Sequence, residues 1–120
     1  MGKWSFEQLE VWKIARKLNV TLGNIFFDPN FKNYSFQDQI MRAALSVQNN
    51  IAEWNEWQSN KDFIKFLYYA KKSSGEVRSM LYNALDYWYI KETDFAELLK
   101  WYLSLSTKIY NLITYLSKSV

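Results

Sequence analysis

The chain has 120 residues, 49% hydrophobic and 19% aromatic, with no Cys, no His and a formal net charge of +3. Those zeros exclude a disulfide framework, a Cys/His zinc site, a thiolate nucleophile and a Ser-His-Asp triad. The mild basicity falls short of the charge signature of a dedicated nucleic-acid binder, and no apolar run is long enough for a membrane span.

The length suits one domain, 1–120. Met1-Gly2-Lys3-Trp4-Ser5 leads into charged amphipathic sequence with no signal-peptide core, so the expected location is cytoplasmic. A capping box, Ser5-Phe6-Glu7-Gln8, opens the first element, and Val11, Ile14, Ala15, Leu18, Leu22 and Ile25 follow at helical spacing. Asp28-Pro29-Asn30 stops it, which predicts a helix over about 5–27. The second element, about 35–54, starts near Ser35 and carries Phe36, Ile40, Ala43, Ala44, Val47, Ile51 and Trp54 on one face. Polar residues 55–60 end it.

The third helix, about 60–89, is capped by Ser59 or Asn60. Its stripe is Phe63, Phe66, Leu67, Ala70, Ser74, Val77, Leu81, Ala84, Leu85 and Trp88, and Gly75 at its middle suggests close packing. The fourth, about 94–117, is capped by Thr93 or Asp94, with Phe95, Leu98, Leu99, Tyr102, Leu105, Ile109, Ile113 and Leu116 as its stripe. Short connections make successive helices antiparallel neighbours. The predicted fold is all-α, an antiparallel up-down-up-down four-helix bundle.

Helical projection places further apolar residues outside these stripes. Tyr69, Met80 and Tyr87 gather on one flank of the third helix, with Ile64, Tyr82 and Tyr89 on the other, while Trp101 and Tyr115 leave the main stripe of the fourth. Small proteins expose apolar surface in any case. Aromatic and Met flanks on two long helices nevertheless have interface composition, so these eight residues are the expected contacts of a homo-oligomer.

Carboxylates are the only candidate acid/base or metal groups. Glu7/Glu10 and Asp94/Glu97 sit near helix N-termini and complement the macrodipole. Glu53 and Glu56 fall where the second helix ends. No pairing argues for catalysis, so neither a catalytic residue, a metal nor a cofactor is expected, and the protein is read as not an enzyme. Lys61, Lys65 and Lys72 form a stripe with Tyr68 interleaved, and the first helix adds Lys13, Arg16 and Lys17. Clustered cations with an aromatic platform suit phosphate tracking, although a stripe opposite the core must be polar anyway. Arg42, Ser46, Asn49, Asn50 and Glu53 make a polar ridge on the second helix. Ser46, Asn50 and Glu53 suit a structural role there, fixing register against a neighbour, with a ligand or partner contact as the other reading. Trp54 and Trp57 offer stacking surfaces or cover the end of the bundle.

Three stretches together carry a resemblance. They are Phe6-Glu7-Gln8-Leu9-Glu10-Val11-Trp12-Lys13, then Gln39-Ile40-Met41-Arg42-Ala43-Ala44 running on to Asn50-Ile51-Ala52-Glu53, and Asp62-Phe63-Ile64-Lys65-Phe66-Leu67. In this order and spacing the chain resembles the bacterial four-helix-bundle family that includes the proteins encoded by intervening sequences of 23S rRNA genes. Ser73 and Glu76 match residues that family often carries in its third helix. The chain lacks the family's proline and glycine around Asn50-Ile51-Ala52-Glu53, has Lys72 in place of a glycine, and has no Arg or Lys in loop 55–60. The resemblance implies an antiparallel bundle and a ring-like oligomer such as a pentamer, and it does not imply enzymatic activity. It also implies association with nucleic acid or a ribonucleoprotein. The expected phosphate contacts are Lys61, Lys65, Lys72, Lys13, Arg16, Lys17 and Arg42. The alternative is a protein-protein scaffold that docks its partner on the aromatic flanks without touching nucleic acid.

Overall fold

The computed structural model describes residues 5–55 and 57–118, so Glu56 lies outside the described residues. A short 3-10 turn, Phe6–Gln8, precedes four helices: α1 (Glu10–Phe26), α2 (Tyr34–Ala52), α3 (Asn60–Asp86) and α4 (Glu92–Ser117). No strand occurs among the described residues. Neighbours in sequence pack side by side, α4 closes back onto α1, and the backbones of α1 and α3 stay apart across the core. The result is an antiparallel four-helix bundle, 46 × 26 × 21 Å, with α1 and α3 at opposite corners.

The interior follows the apolar stripes. Leu22, Ile40, Ile51, Leu67, Leu81, Leu105 and Ile109 are fully enclosed. Ala44 and Ala70 are equally buried, and small residues there let α2 and α3 approach closely. Burying each large aliphatic side chain stabilises the fold by about 1.5–3 kcal/mol. Together these contacts offset the ordering entropy of the four helices.

The helix ends depart from the periodic expectation. Gln8 reaches back to the Ser5 amide at 3.0 Å, as a capping box requires, but the backbone turns extended at Leu9 and α1 begins only at Glu10. The break lets Leu9 pack against the core and brings Phe6 edge-on to Trp12 at 5.2 Å. The α2 cap is Asn33 rather than Ser35, its Oδ1 accepting from the Phe36 amide at 3.1 Å. Ser59 caps α3 through the Asp62 amide. Helix α4 starts at Glu92, ahead of Thr93 and Asp94, with Lys91 as its N-cap.

Helix α3 stops three residues short of the expected 89. The Tyr89 amide donates to the Ala84 carbonyl at 2.8 Å and the Trp88 amide to the Leu85 carbonyl at 3.1 Å. That pair of bonds is a Schellman ending, with Trp88 in the left-handed position at φ 64°. A β-carbon in that conformation costs about 1–2 kcal/mol. The turn throws Trp88 out of the core stripe to which periodicity assigns it, and its indole is 92% exposed. Gly75 does not mark close helix packing, since a β-carbon there would meet only the Arg78 guanidinium, at 3.6 Å.

Candidate nucleic-acid interface

Lys61, Lys65, Tyr68 and Lys72 recur at intervals of four, three and four residues, so α3 carries them along its solvent side. All four are exposed, and the stripe runs about 17 Å. None of the three lysines forms an ion pair among the described residues. Their ammonium groups therefore stand free of ion pairs beside the exposed Tyr68 ring, with Asp62 and Glu76 the nearest acids on that side of α3.

The other predicted cations are placed differently. Lys13 and Arg16 are exposed on α1, diagonally across the bundle from α3, so the two basic groups do not form one groove. The Arg16 guanidinium lies over the Trp12 ring, 5.7 Å from its centroid. Lys17 turns toward α4 and lines a cleft of about 340 Å³ with Ile14, Leu18, Leu98 and Trp101. There the Trp101 indole N–H donates to the Glu97 carboxylate at 3.0 Å. Arg42 pairs with Asp38 at 2.7 Å one turn earlier on α2. Both partners are well exposed, so that pair contributes little to stability.

The polar ridge of α2 faces α3. Asn50 donates to the Ser46 carbonyl at 2.9 Å and to its hydroxyl at 3.1 Å, and the Ser46 and Ser73 hydroxyls lie 2.9 Å apart. The Asn50 bonds stay within α2, and the Ser46–Ser73 contact joins it to α3. Glu53 stays exposed at the α2 C-cap, beside a shallow groove of about 500 Å³ that also includes Arg42 and Asn49. Trp54 packs on Phe63, at a centroid distance of 6.3 Å, and covers that end of the core, while Trp57 is exposed.

The aromatic flanks are thinner than projection suggests. Met80 is only 7% exposed and belongs to the core, because α2 closes over that edge of α3. Tyr89, past the Schellman turn, packs on Phe31 at 4.9 Å and Phe36 at 5.1 Å, and its hydroxyl accepts from Asn33 Nδ2 at 2.8 Å. Ile64 is half-buried against the core. Tyr69, Tyr82, Tyr87, Trp101 and Tyr115 remain exposed, joined by Leu103 and Tyr110 of α4.

Two features escape sequence pattern. Tyr102 is 1% exposed, its hydroxyl has no hydrogen-bond partner among the described residues, and burial holds that hydroxyl far above its ordinary titration range. Its position in an apolar stripe gave no hint of an unpaired hydroxyl. The second is a cleft of about 720 Å³ beside Trp88, where the α1–α2 and α3–α4 connections meet. Among the described residues, no group of His, Cys, Asp and Glu has the arrangement of a metal site. No helix among the described residues is long and apolar enough to cross a membrane.

These observations define a class: a four-helix bundle whose described surface carries an exposed row of lysines and several exposed aromatic rings. Residues 7–111 match the family described as 23S rRNA-intervening sequence protein, and the chain belongs to that family. Among curated proteins, none matches it. A similar solved structure is a protein of unknown function from the S23 ribosomal protein family of Bacteroides thetaiotaomicron. It is 24% identical, with a TM-score of 0.80 over 87% of this chain and 95% of that one, a likeness that shows the shared fold.

Proposed function

We propose that this protein is a non-enzymatic, self-associating bundle of the cytoplasm that binds nucleic acid, or a ribonucleoprotein, through its basic helix faces. The observation that carries this reading is the exposed stripe of Lys61, Lys65 and Lys72, none in an ion pair among the described residues, with Tyr68 among them. A row of free ammonium groups releases counterions when it meets phosphates, and an interleaved ring gives bases a stacking surface. The family's description, which refers to intervening sequences of 23S rRNA, points to an RNA setting. Lys13 and Arg16 at the opposite corner, with Lys17 beside them and Arg42 on α2, contribute additional cations. Self-association would repeat each stripe around a symmetry axis and multiply a modest charge.

The alternative is a scaffold that uses the exposed rings Tyr69, Tyr82, Tyr87, Trp101 and Tyr115 to hold a protein partner. Purification at low salt, with and without nuclease, separates the two. The nucleic-acid reading predicts co-purifying, nuclease-sensitive absorbance at 260 nm that high salt removes. A protein partner retained after nuclease, with no nucleic acid in either preparation, contradicts it. Sedimentation equilibrium tests self-association separately, and a single species at the 14.4 kDa chain mass at micromolar concentration contradicts that part.

A further inference from the structure

The end of the bundle around Trp88 is built firmly and displays one ring outward. Phe31 and Tyr89 meet edge to face below it, Asn33 ties α2 to Tyr89, and two Schellman hydrogen bonds hold the backbone on either side of the indole. The left-handed backbone at Trp88 is one that glycine adopts freely. The chain instead places its largest side chain there, and that ring makes no aromatic contact among the described residues. A strained position carrying an exposed, unused ring points to a contact made outside the chain.

The lining of the adjoining cleft indicates the kind of contact. Asn24, Asn30, Lys32 and Lys91 surround it with Trp88. The side-chain amides of Asn24 and Asn30 form no hydrogen bond among the described residues, so each offers a free donor and acceptor. Two lysines are balanced there by Asp28 and Asp94, so the cleft does not attract a polyanion by charge. A polar rim around one exposed indole also does not suit an apolar helix. It suits a flat, edge-polar ring.

We infer that this cleft receives an unpaired nucleobase, stacked on Trp88, with its edge read by Asn24 and Asn30 and its own phosphate beside Lys32 or Lys91. Single-stranded recognition works in this way, by aromatic stacking plus amide contacts to base edges, and it is lost when the base is paired. The inference rests on the nucleic-acid reading and adds a second, charge-neutral place of contact. Trp88 stands about 24 Å along α3 from Lys72, so the two places are far enough apart to act additively.

The test uses fluorescence anisotropy with a labelled single-stranded oligoribonucleotide of about 20 nucleotides and a duplex of equal length, from about 50 to 200 mM salt. The proteins are wild type, Trp88→Gly and the Lys61→Glu/Lys65→Glu double variant. Glycine suits φ 64°, so Trp88→Gly retains the fold. It should weaken single-strand binding about tenfold at every salt concentration and leave duplex binding unchanged. The double variant should flatten the salt dependence instead. Wild-type affinity in Trp88→Gly beside weakened binding in the double variant overturns the inference and leaves the basic-face reading standing. Loss of self-association in Trp88→Gly at unchanged affinity per protomer also overturns it, making the indole a subunit contact. No binding by any protein at about 50 mM salt overturns the reading and the inference together.

Discussion

The interior of the bundle and the end that carries Trp88 follow opposite rules. Inside, large side chains meet neighbouring helices, and the contacts that stabilise the fold also complete it. At the end, a strained turn supports a ring that leaves the protein surface. The core of α3 is explained by the chain alone. On the proposed reading, its solvent face and the turn that follows it serve a partner outside the chain. If the proposal holds, that contrast separates residues conferring stability from residues conferring binding, and substitutions on the two sides should behave differently.

Truncation in the interior should give the largest change in stability. Leu105→Ala removes a fully buried side chain and should destabilise the protein by about 2–5 kcal/mol in urea denaturation. Binding per folded molecule should stay as it was. A loss below about 1 kcal/mol would mean that this layer is not closely packed.

Charge reversal on the face should do the converse. The Lys61→Glu/Lys65→Glu variant should weaken binding to single-stranded RNA by at least about tenfold at about 50 mM salt. Both side chains are exposed, so its melting temperature should change little. A variant that binds normally would remove the stripe from the interface.

Trp88→Gly sharpens the contrast at one residue. Relief of the left-handed strain, partly offset by the extra freedom of glycine in the unfolded chain, should stabilise the protein by roughly 0.5–1 kcal/mol. The same change should weaken RNA binding. Destabilisation instead would show that the indole packs within the protein.

A comparably small effect on stability concerns an interior group that, like the Ser74 hydroxyl, breaks the interior's rule. Tyr102→Phe removes a buried hydroxyl without a partner and should stabilise the fold by about 1 kcal/mol. Because burial raises the Tyr102 pKa, the unfolded chain ionises first. The tyrosine's contribution to stability is thus complete below about pH 10 and lost as pH rises beyond it. Urea midpoints between pH 8 and 11 should fall less steeply in Tyr102→Phe than in wild type.

The four helices and their packed faces were legible in the sequence because the 3.6-residue period persists over several turns in each. Their ends were not. Nothing in Tyr87-Trp88-Tyr89 announces a Schellman stop, since glycine is absent from the left-handed position, and extrapolating the period past the stop puts Trp88 in the core. Leu9 shows a related failure at the other end of the chain: inside the expected first helix it falls opposite the apolar stripe, yet extended backbone there lets it pack on the core. Met80 went astray for another reason, because the projection of a single helix does not say how far a neighbour overlaps its edge. The basic stripe of α3 was legible residue by residue. Its separation from the α1 cations was not, because that depends on which helices lie diagonally. The Trp88 cleft is assembled from two connections more than fifty residues apart, joined by Asn33 and Tyr89. No local pattern reports such a meeting.

The central claim is that the protein binds nucleic acid through free cations on α3. It is tested most directly by the affinity of the wild-type chain for single-stranded RNA as salt rises from about 50 to 200 mM. The account predicts measurable binding at the lower concentration and a linear fall of log affinity with log salt, with a slope of about −2 if the three lysines of one stripe meet phosphates. Absence of binding at about 50 mM, or binding indifferent to salt, would contradict it.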